Sequence, residues 1–185
     1  MGKIWLTSDT HFGHDRDFIW QPRGYNSVYE SDKDLIKKWN EVVGPEDDVY
    51  HLGDVMLGDN EYGLSCVKQL KGNIHLVRGN HDTDARMKLY NQCYNIVEIT
   101  EGQFLKYKKY HFFLSHYPCL TSNFDGDKPL KTRTISLCGH YHSSDPYVDF
   151  DKGLIYHVEV DGNNGYPWDL DSIIENIINK TKGEK

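Results

Sequence analysis

Short apolar runs that end in polar, glycine-containing turns dominate the first half of the chain and limit the folds open to it. Three of these runs have the length and composition of buried strands: residues 3–8, 48–52 and 73–78. Helices are expected between them, one over residues 32–43 with Ser31 as its N-cap and one over residues 60–70. A regular alternation of strand, polar turn and helix is typical of βαβ units, so the pattern predicts an α/β fold.

The second half consists mainly of closely spaced strand candidates. Apolar and aromatic residues predict strands over residues 94–99, 103–107, 110–115, 134–138, 147–150 and 154–160. The longest interval is a polar loop over residues 118–133, and a last helix is expected over residues 170–179 with Asp169 as its N-cap. A chain of 185 residues with no evident repeat or linker fits one domain over residues 1–180, followed by a frayed, charged tail over residues 181–185.

Five polar clusters follow predicted strands and contain the residue types that bind metal ions. They are Asp9-Thr10-His11, Gly53-Asp54, Gly79-Asn80-His81-Asp82, Ser115-His116 and Gly139-His140-Tyr141-His142. Ligands of open α/β sheets bind beyond the carboxyl ends of the strands, so these clusters are placed to share one site. Mixed carboxylate, imidazole and amide ligands suit borderline divalent cations. Each glycine is expected to let the backbone turn sharply beside a ligand.

The order and spelling of these clusters, D-x-H, G-D, G-N-H-D, H and G-H-x-H, resemble the calcineurin-like metallophosphoesterase superfamily. The resemblance covers residues 9–142, and every motif is present in order. It implies a four-layer αββα sandwich with two central mixed β-sheets. Gly53-Asp54 continues as Val55-Met56, whereas the protein-phosphatase branch continues with an Asp and an Arg. The chain is therefore more similar to the small stand-alone phosphoesterases of bacteria and phages.

The resemblance also implies a role for each polar residue. Two divalent metal ions would be held by seven residues: Asp9, His11 and His142 on the first, Asn80, His116 and His140 on the second, and Asp54 on both. His81 would face the phosphoryl group as an acid or electrostatic stabiliser, and Asp82 would support its loop. A water shared by the two ions would attack phosphorus as hydroxide, which implies direct hydrolysis of a phosphodiester or phosphomonoester. Mn²⁺ is the favoured metal, and Fe, Zn, Ni and Co also suit these ligands.

Three residues after the first cluster are candidates for substrate contact. His14, Arg16 and Arg23 lie in a loop that can cover the site, and arginine recognises phosphate oxygens well. The alternative interpretation, that they are solvated loop residues, is equally open. Tyr117 either stacks on a base of the substrate or lines the rim. Other histidines fall in or beside predicted strands and are interpreted as structural: His51, His75, His111 and His157.

Net charge bears on the class of substrate. A formal charge of -7 disfavours tracking along long nucleic acid, although two bound cations would invert the field of an acidic site. We expect a small phosphorylated substrate such as a nucleotide. The alternatives are a nuclease or nucleic-acid end-processing enzyme and, from another class, a non-catalytic protein-binding scaffold. No apolar run approaches the roughly 18 residues that span a bilayer, and no secretion signal is evident, so a cytoplasmic location without membrane contact is expected.

Overall fold

Two mixed β-sheets form the centre of the molecule, which a computed structural model describes for residues 2–121 and 126–183. The first sheet contains β1 (Ile4–Thr7), β2 (Asp48–His51), β3 (Asn73–Val77), β4 (Ile96–Thr100) and β9 (Trp168–Asp169), in the spatial order β4-β3-β2-β1-β9. Its first four strands are parallel, and β9 is antiparallel to β1. The second sheet contains β5 (Gln103–Tyr107), β6 (Tyr110–Leu114), β7 (Thr134–Cys138) and β8 (Ile155–His157) in that order. Strands β5 and β6 form an antiparallel hairpin, and β6, β7 and β8 are parallel.

Helices accompany the sheets. They are α1 (Asp17–Trp20), α2 (Val28–Val42), α3 (Asn60–Val67), α4 (Asp84–Tyr90), α5 (Phe150–Gly153) and α6 (Leu170–Gly183). Two mixed sheets with helices confirm the fold class expected from the sequence. In residues 2–121 and 126–183, no helix combines the length and the apolar character needed to cross a membrane.

Two hydrophobic cores lie on opposite faces of the first sheet. Successive side chains of β1 point to opposite sides, so Trp5 packs in one core with Trp39 of α2, whereas Leu6 belongs to the core shared with the second sheet. In that shared core, Phe112 of β6 lies in register with Ile135 of β7, and both side chains are buried. The apolar face of α6 packs into the same core. Burial on both faces explains why β1 contains three consecutive apolar residues, Ile4, Trp5 and Leu6.

Helix α2 begins four residues before its predicted start at Asp32. Its N-cap is Ser27, whose side chain accepts a hydrogen bond from the peptide N of Glu30 at 3.2 Å. The Glu30 carboxylate accepts a hydrogen bond in turn from the peptide N of Asn26 at 2.9 Å. Ser27 thus caps the first turn and Glu30 holds the residue before the cap, while Ser31, the expected cap, is buried within the helix.

The strand predicted over residues 147–150 is wrong. The chain turns here and enters α5, and the ring of Tyr147 packs against Phe150 and Tyr156 with centroids 5.6 and 5.3 Å away. Aromatic residues indicate burial, and in this segment a turn buries them without strand pairing.

Other boundaries also differ from the prediction. Helix α4, capped by Thr83, was not predicted, and α6 continues past Asn179 to Gly183. The Asp169 cap of α6 is confirmed, since its carboxylate accepts a hydrogen bond from the peptide N of Asp171 at 2.8 Å. Residues 122–125 of the polar loop and 184–185 of the tail lie outside the described part of the chain.

Strand ends from both sheets meet at one edge of the molecule. After β1, the peptide N of Asp9 donates to the carbonyl of Gly53, which follows β2, at 3.0 Å. After β7, the peptide N of Gly139 donates to the carbonyl of His116, which follows β6, at 3.0 Å. A parallel bridge from Ser8 to the segment after β8 joins the first sheet to the second. The predicted polar clusters are thereby brought together.

Candidate metal centre

Several of the predicted ligands have a left-handed backbone. The φ angles are 58° at Asp9, 52° at His11, 57° at Asp54, 82° at His140 and 53° at His142. Residues other than glycine rarely adopt this backbone region, and each one that does lowers the stability of the fold by about 1 kcal/mol or more. In the described part of the chain, these five account for most of the eight non-glycine residues with positive φ. Backbone strain is therefore concentrated where the polar side chains converge.

Two glycines of the motifs provide space for the carboxylates. A Cβ atom on Gly79 would collide with the Asp54 carboxylate and lie 2.9 Å from its Cγ, and one on Gly139 would collide with the Asp9 carboxylate and the Ser8 hydroxyl. Neither glycine has a positive φ. We expected all three motif glycines to allow sharp turns, but only Gly53, with φ of 94°, has the left-handed backbone that this expectation requires.

A first group of ligand atoms is formed by Asp9, His11 and His142. The Nε2 atoms of the two histidines are 3.1 Å apart, and each lies 3.8 Å from Asp9 Oδ1. This carboxylate oxygen is buried and has no hydrogen-bond partner. Ligand atoms about 2.1 Å from one cation lie roughly 3 to 4 Å from each other, so the three atoms fit a shared divalent ion.

A second group is formed by Asn80, His116 and His140. His116 donates from Nδ1 to the carbonyl oxygen of Leu52 at 2.8 Å, so its Nε2 carries a lone pair in the neutral ring. That Nε2 lies 2.8 Å from Asn80 Oδ1 and 3.2 Å from His140 Nδ1. Three atoms able to donate lone pairs thus point at one small volume, which suits a cation.

Asp54 lies between the two groups. Its Oδ2 is 3.7 Å from His11 Nε2 and 3.5 Å from His116 Nε2. Its Oδ1 accepts a hydrogen bond from the peptide N of His81 at 2.8 Å, which fixes the orientation of the carboxylate. One side chain therefore adjoins both groups.

Burial shifts the pKa of three ligands, downward at two histidines and upward at Asp9. It lowers the pKa of His11, assisted by the neighbouring His142, and it lowers the pKa of His140, assisted by His116. Neutral imidazole is the form that coordinates metals. Burial raises the pKa of Asp9 to about 6. A buried carboxylate of this kind becomes fully ionised when a cation compensates its charge.

His81 and Asp82 follow the same strand but occupy different environments. The imidazole of His81 is 44% exposed, and its ring centroid lies 5.5 Å from that of His11. Asp82 is fully buried and accepts hydrogen bonds from the peptide N of Asp54 at 2.8 Å and of Gly79 at 3.0 Å. His81 thus faces the ligand groups, whereas Asp82 lies behind them and holds the backbone of Asp54.

Arg23, a candidate for substrate contact, uses its guanidinium for hydrogen bonds within the protein. Its guanidinium donates to the carbonyls of Thr10 at 3.2 Å and Asp9 at 2.8 Å, and to Asp161 Oδ1 at 2.8 Å. The side chain is only 7% exposed, so these donors hold the first motif in place instead of facing solvent. Arg16 is exposed at the N-terminus of α1, while His14 lies against His11 with ring centroids 5.5 Å apart.

Sequence reasoning missed two acidic residues that support the ligands. Asp161 accepts a hydrogen bond from His142 Nδ1 at 3.2 Å, and despite burial its bonds with His142 and Arg23 hold the pKa of Asp161 well below its usual range. Glu159 accepts hydrogen bonds from the peptide N of Tyr141 at 3.1 Å and from His157 at 2.9 Å. Both residues follow β8, so these supporting residues, like the ligands, lie just beyond the carboxyl end of a strand.

The histidines interpreted as structural have contacts that agree with that interpretation. His51 is buried, its Nε2 lies 3.0 Å from the hydroxyl of Thr10, and burial lowers its pKa to about 3. His75 lies between the carboxylates of Glu98 and Asp48. His157 is buried between Glu159 and Asp149, and His111 is exposed on β6.

The chain belongs to the calcineurin-like phosphoesterase superfamily, whose domain model matches residues 3–159. An uncharacterized protein of Methanocaldococcus jannaschii, MJ1445, is 34% identical over 190 aligned residues, which cover 98% of this chain and 94% of that protein. The Gene 66 protein of Mycobacterium phage L5 is 29% identical over 165 residues, covering 77% of this chain and 79% of the phage protein.

Solved structures share the fold. AQ665 of Aquifex aeolicus, a protein of unknown function, has a TM-score of 0.74 at 24% identity, covering 96% of this chain and 100% of that chain. An archaeal phosphodiesterase has a TM-score of 0.50 at 20% identity, covering 86% of each chain. At these identities the likeness shows the fold alone.

Proposed function

We propose that this protein is a metal-dependent phosphoesterase that hydrolyses a phosphodiester or phosphomonoester of a small substrate such as a nucleotide. The position of Asp54 is the observation that carries the proposal. Its Oδ2 lies within 3.7 Å of His11 Nε2 and 3.5 Å of His116 Nε2, so one carboxylate can bridge two divalent ions. The ligand types favour Mn²⁺ and also suit Fe, Zn, Ni and Co. Membership of the superfamily supports the same reaction class.

Two bound cations would supply an activated water and neutralise charge on the phosphoryl oxygens. The other contributions come from the chain itself. His81 has its peptide N anchored on Asp54 and its carbonyl on the guanidinium of Arg86, at 2.8 and 2.6 Å, so its imidazole is held beside the ligand groups. From there it can stabilise a phosphoryl oxygen or give a proton to the leaving group. Asp161 and Arg23 keep His142 and Asp9 in position.

Hydrolysis of bis-p-nitrophenyl phosphate and p-nitrophenyl phosphate by metal-stripped protein resupplied with Mn²⁺ tests this proposal. We expect turnover that requires the metal and falls at least about a hundredfold in both Asp54→Asn and His81→Ala. The first variant loses the carboxylate proposed to bridge the two ions, and the second loses the imidazole proposed to act on the phosphoryl group. Matched controls are Asp151→Asn and His111→Ala, because both residues are exposed and neither belongs to the two ligand groups.

The relative rates on the two esters would assign the substrate class. Faster diester turnover would indicate nucleotide diesters, and faster monoester turnover would indicate a phosphatase. Absence of metal-dependent turnover on either ester with Mn²⁺, Ni²⁺ and Zn²⁺ would contradict the proposal and favour the binding scaffold.

A further inference from the structure

A cavity of about 560 Å³ opens directly beside the first ligand group. Four histidines line it, His11, His14, His81 and His142, together with four apolar side chains, Phe18, Ile19, Pro22 and Leu57. The volume lies in the range of roughly 300 to 1,000 Å³ typical of small-molecule sites. A group bonded to a phosphate held at the ligand groups would therefore have this space next to it.

We propose that this cavity is the subsite for a planar aromatic group of the phosphoester substrate, and that Phe18 is its specificity-determining residue. The inference rests on the proposed function, because it takes the phosphoryl group to lie at the ligand groups. It goes further by stating which chemical class of ester the site selects.

An aromatic series connects the rim of the cavity to the ligand groups. The ring of Phe18 meets the ring of His14 edge-on with centroids 5.7 Å apart, and His14 lies 5.5 Å from His11. Phe18 is 65% exposed. Exposure alone does not mark it, since Phe104 on β5 is 76% exposed. Phe18 differs from Phe104 because it lines the cavity and its ring contacts His14.

The charges around the cavity favour an uncharged group. Among the described residues that line it, none is lysine or arginine, and Asp161 is the carboxylate. The oxygens of Asp161 already accept hydrogen bonds from His142 and Arg23. A second phosphate or a carboxylate of the substrate would meet no cationic side chain here and would lose its hydration. A planar ring, in contrast, would cover apolar surface and stack on Phe18.

Equilibrium binding of two phosphonates to the Mn²⁺-loaded protein tests the inference without turnover. Phenylphosphonate carries an aromatic ring and methylphosphonate does not, and both present the same anionic head group. We expect phenylphosphonate to bind about ten- to a hundredfold more tightly, the range measured for stacking of one ring on an aromatic side chain. Isothermal titration calorimetry is run on wild type, Phe18→Ala and the control Phe104→Ala, whose ring is also exposed but lies away from the cavity.

The preference should disappear in Phe18→Ala, persist in Phe104→Ala, and leave methylphosphonate affinity the same in all three. Equal affinity for the two phosphonates in wild type, or an unchanged preference in Phe18→Ala, would overturn the subsite while leaving the proposed phosphoesterase intact. Failure of both phosphonates to bind in a metal-dependent way would overturn the proposed function and the subsite with it.

Discussion

The buried carboxylate of Asp82 provides a quantitative test of how the Asp54 motif is held. Its Oδ2 accepts hydrogen bonds from the peptide N of Asp54 at 2.8 Å and of Gly79 at 3.0 Å. Its Oδ1 accepts them from the peptide N of Val55 at 3.3 Å and from the hydroxyl of Tyr90 at 2.8 Å. Asp82→Asn keeps the shape of the side chain but replaces one acceptor oxygen with a donor.

The new asparagine can place its amide nitrogen at either oxygen position. The position of Oδ1, facing Val55 and Tyr90, costs less, because the Tyr90 hydroxyl can rotate and accept a hydrogen bond from the amide instead of donating one. The peptide N–H of Val55 then has no partner, which costs about 1–3 kcal/mol when buried, and the remaining bonds lose their charge assistance. We expect Asp82→Asn to lower the free energy of unfolding by about 2–5 kcal/mol, and Tyr90→Phe, which removes one bond, by about 1–2 kcal/mol.

Urea unfolding of the metal-free protein, followed by tryptophan fluorescence, measures both changes, because Trp5, Trp39 and Trp168 are buried in the folded state. Asp151→Asn is the control for loss of one exposed carboxylate, and it should stay within about 0.5 kcal/mol of wild type. An Asp82→Asn variant as stable as that control would refute the argument that these hydrogen bonds hold the strand ends together.

Three further predictions concern the groups around the ligands. Asp161→Asn should weaken Mn²⁺ binding about ten- to a hundredfold in isothermal titration calorimetry, because Asp161 fixes the ring of His142; unchanged affinity would mean that packing alone orients the ring. Since burial raises the pKa of Asp9 to about 6, Mn²⁺ affinity should fall about tenfold per pH unit below that pH, and a flat affinity profile there would contradict proton competition at Asp9. Although burial opposes its charge, hydrogen bonds to Glu159 and Asp149 raise the pKa of His157 above 6.5. The stability that these hydrogen bonds add is complete below the ordinary pKa of 6.5 and is lost as the pH rises through the raised pKa. The advantage of wild type over His157→Gln in urea unfolding should therefore shrink as the pH rises above about 6.5, and a constant difference would exclude this linkage.

The sequence by itself determined the fold class and the polar clusters that meet at the site. Parallel strands place their carboxyl ends at one edge, so polar clusters after β1, β2 and β3 had to converge wherever those strands paired. Local signals were also sufficient for caps such as Asp169, since its carboxylate bonds the peptide N only two residues along the chain. The Ser27-x-x-Glu30 cap was equally readable, although Ser31 was chosen instead.

Only the tertiary structure showed which side chains hold the ligand residues in position through hydrogen bonds. Arg23 was one of three candidates for substrate contact, and the structure places its guanidinium against Asp9 and against Asp161, which is 138 positions away in sequence. Gly79 and Gly139 are required because carboxylates from other strand ends occupy the space of their missing side chains. These roles depend on distances between loops of different strands, which are set by packing of the two sheets and have no counterpart in local sequence patterns.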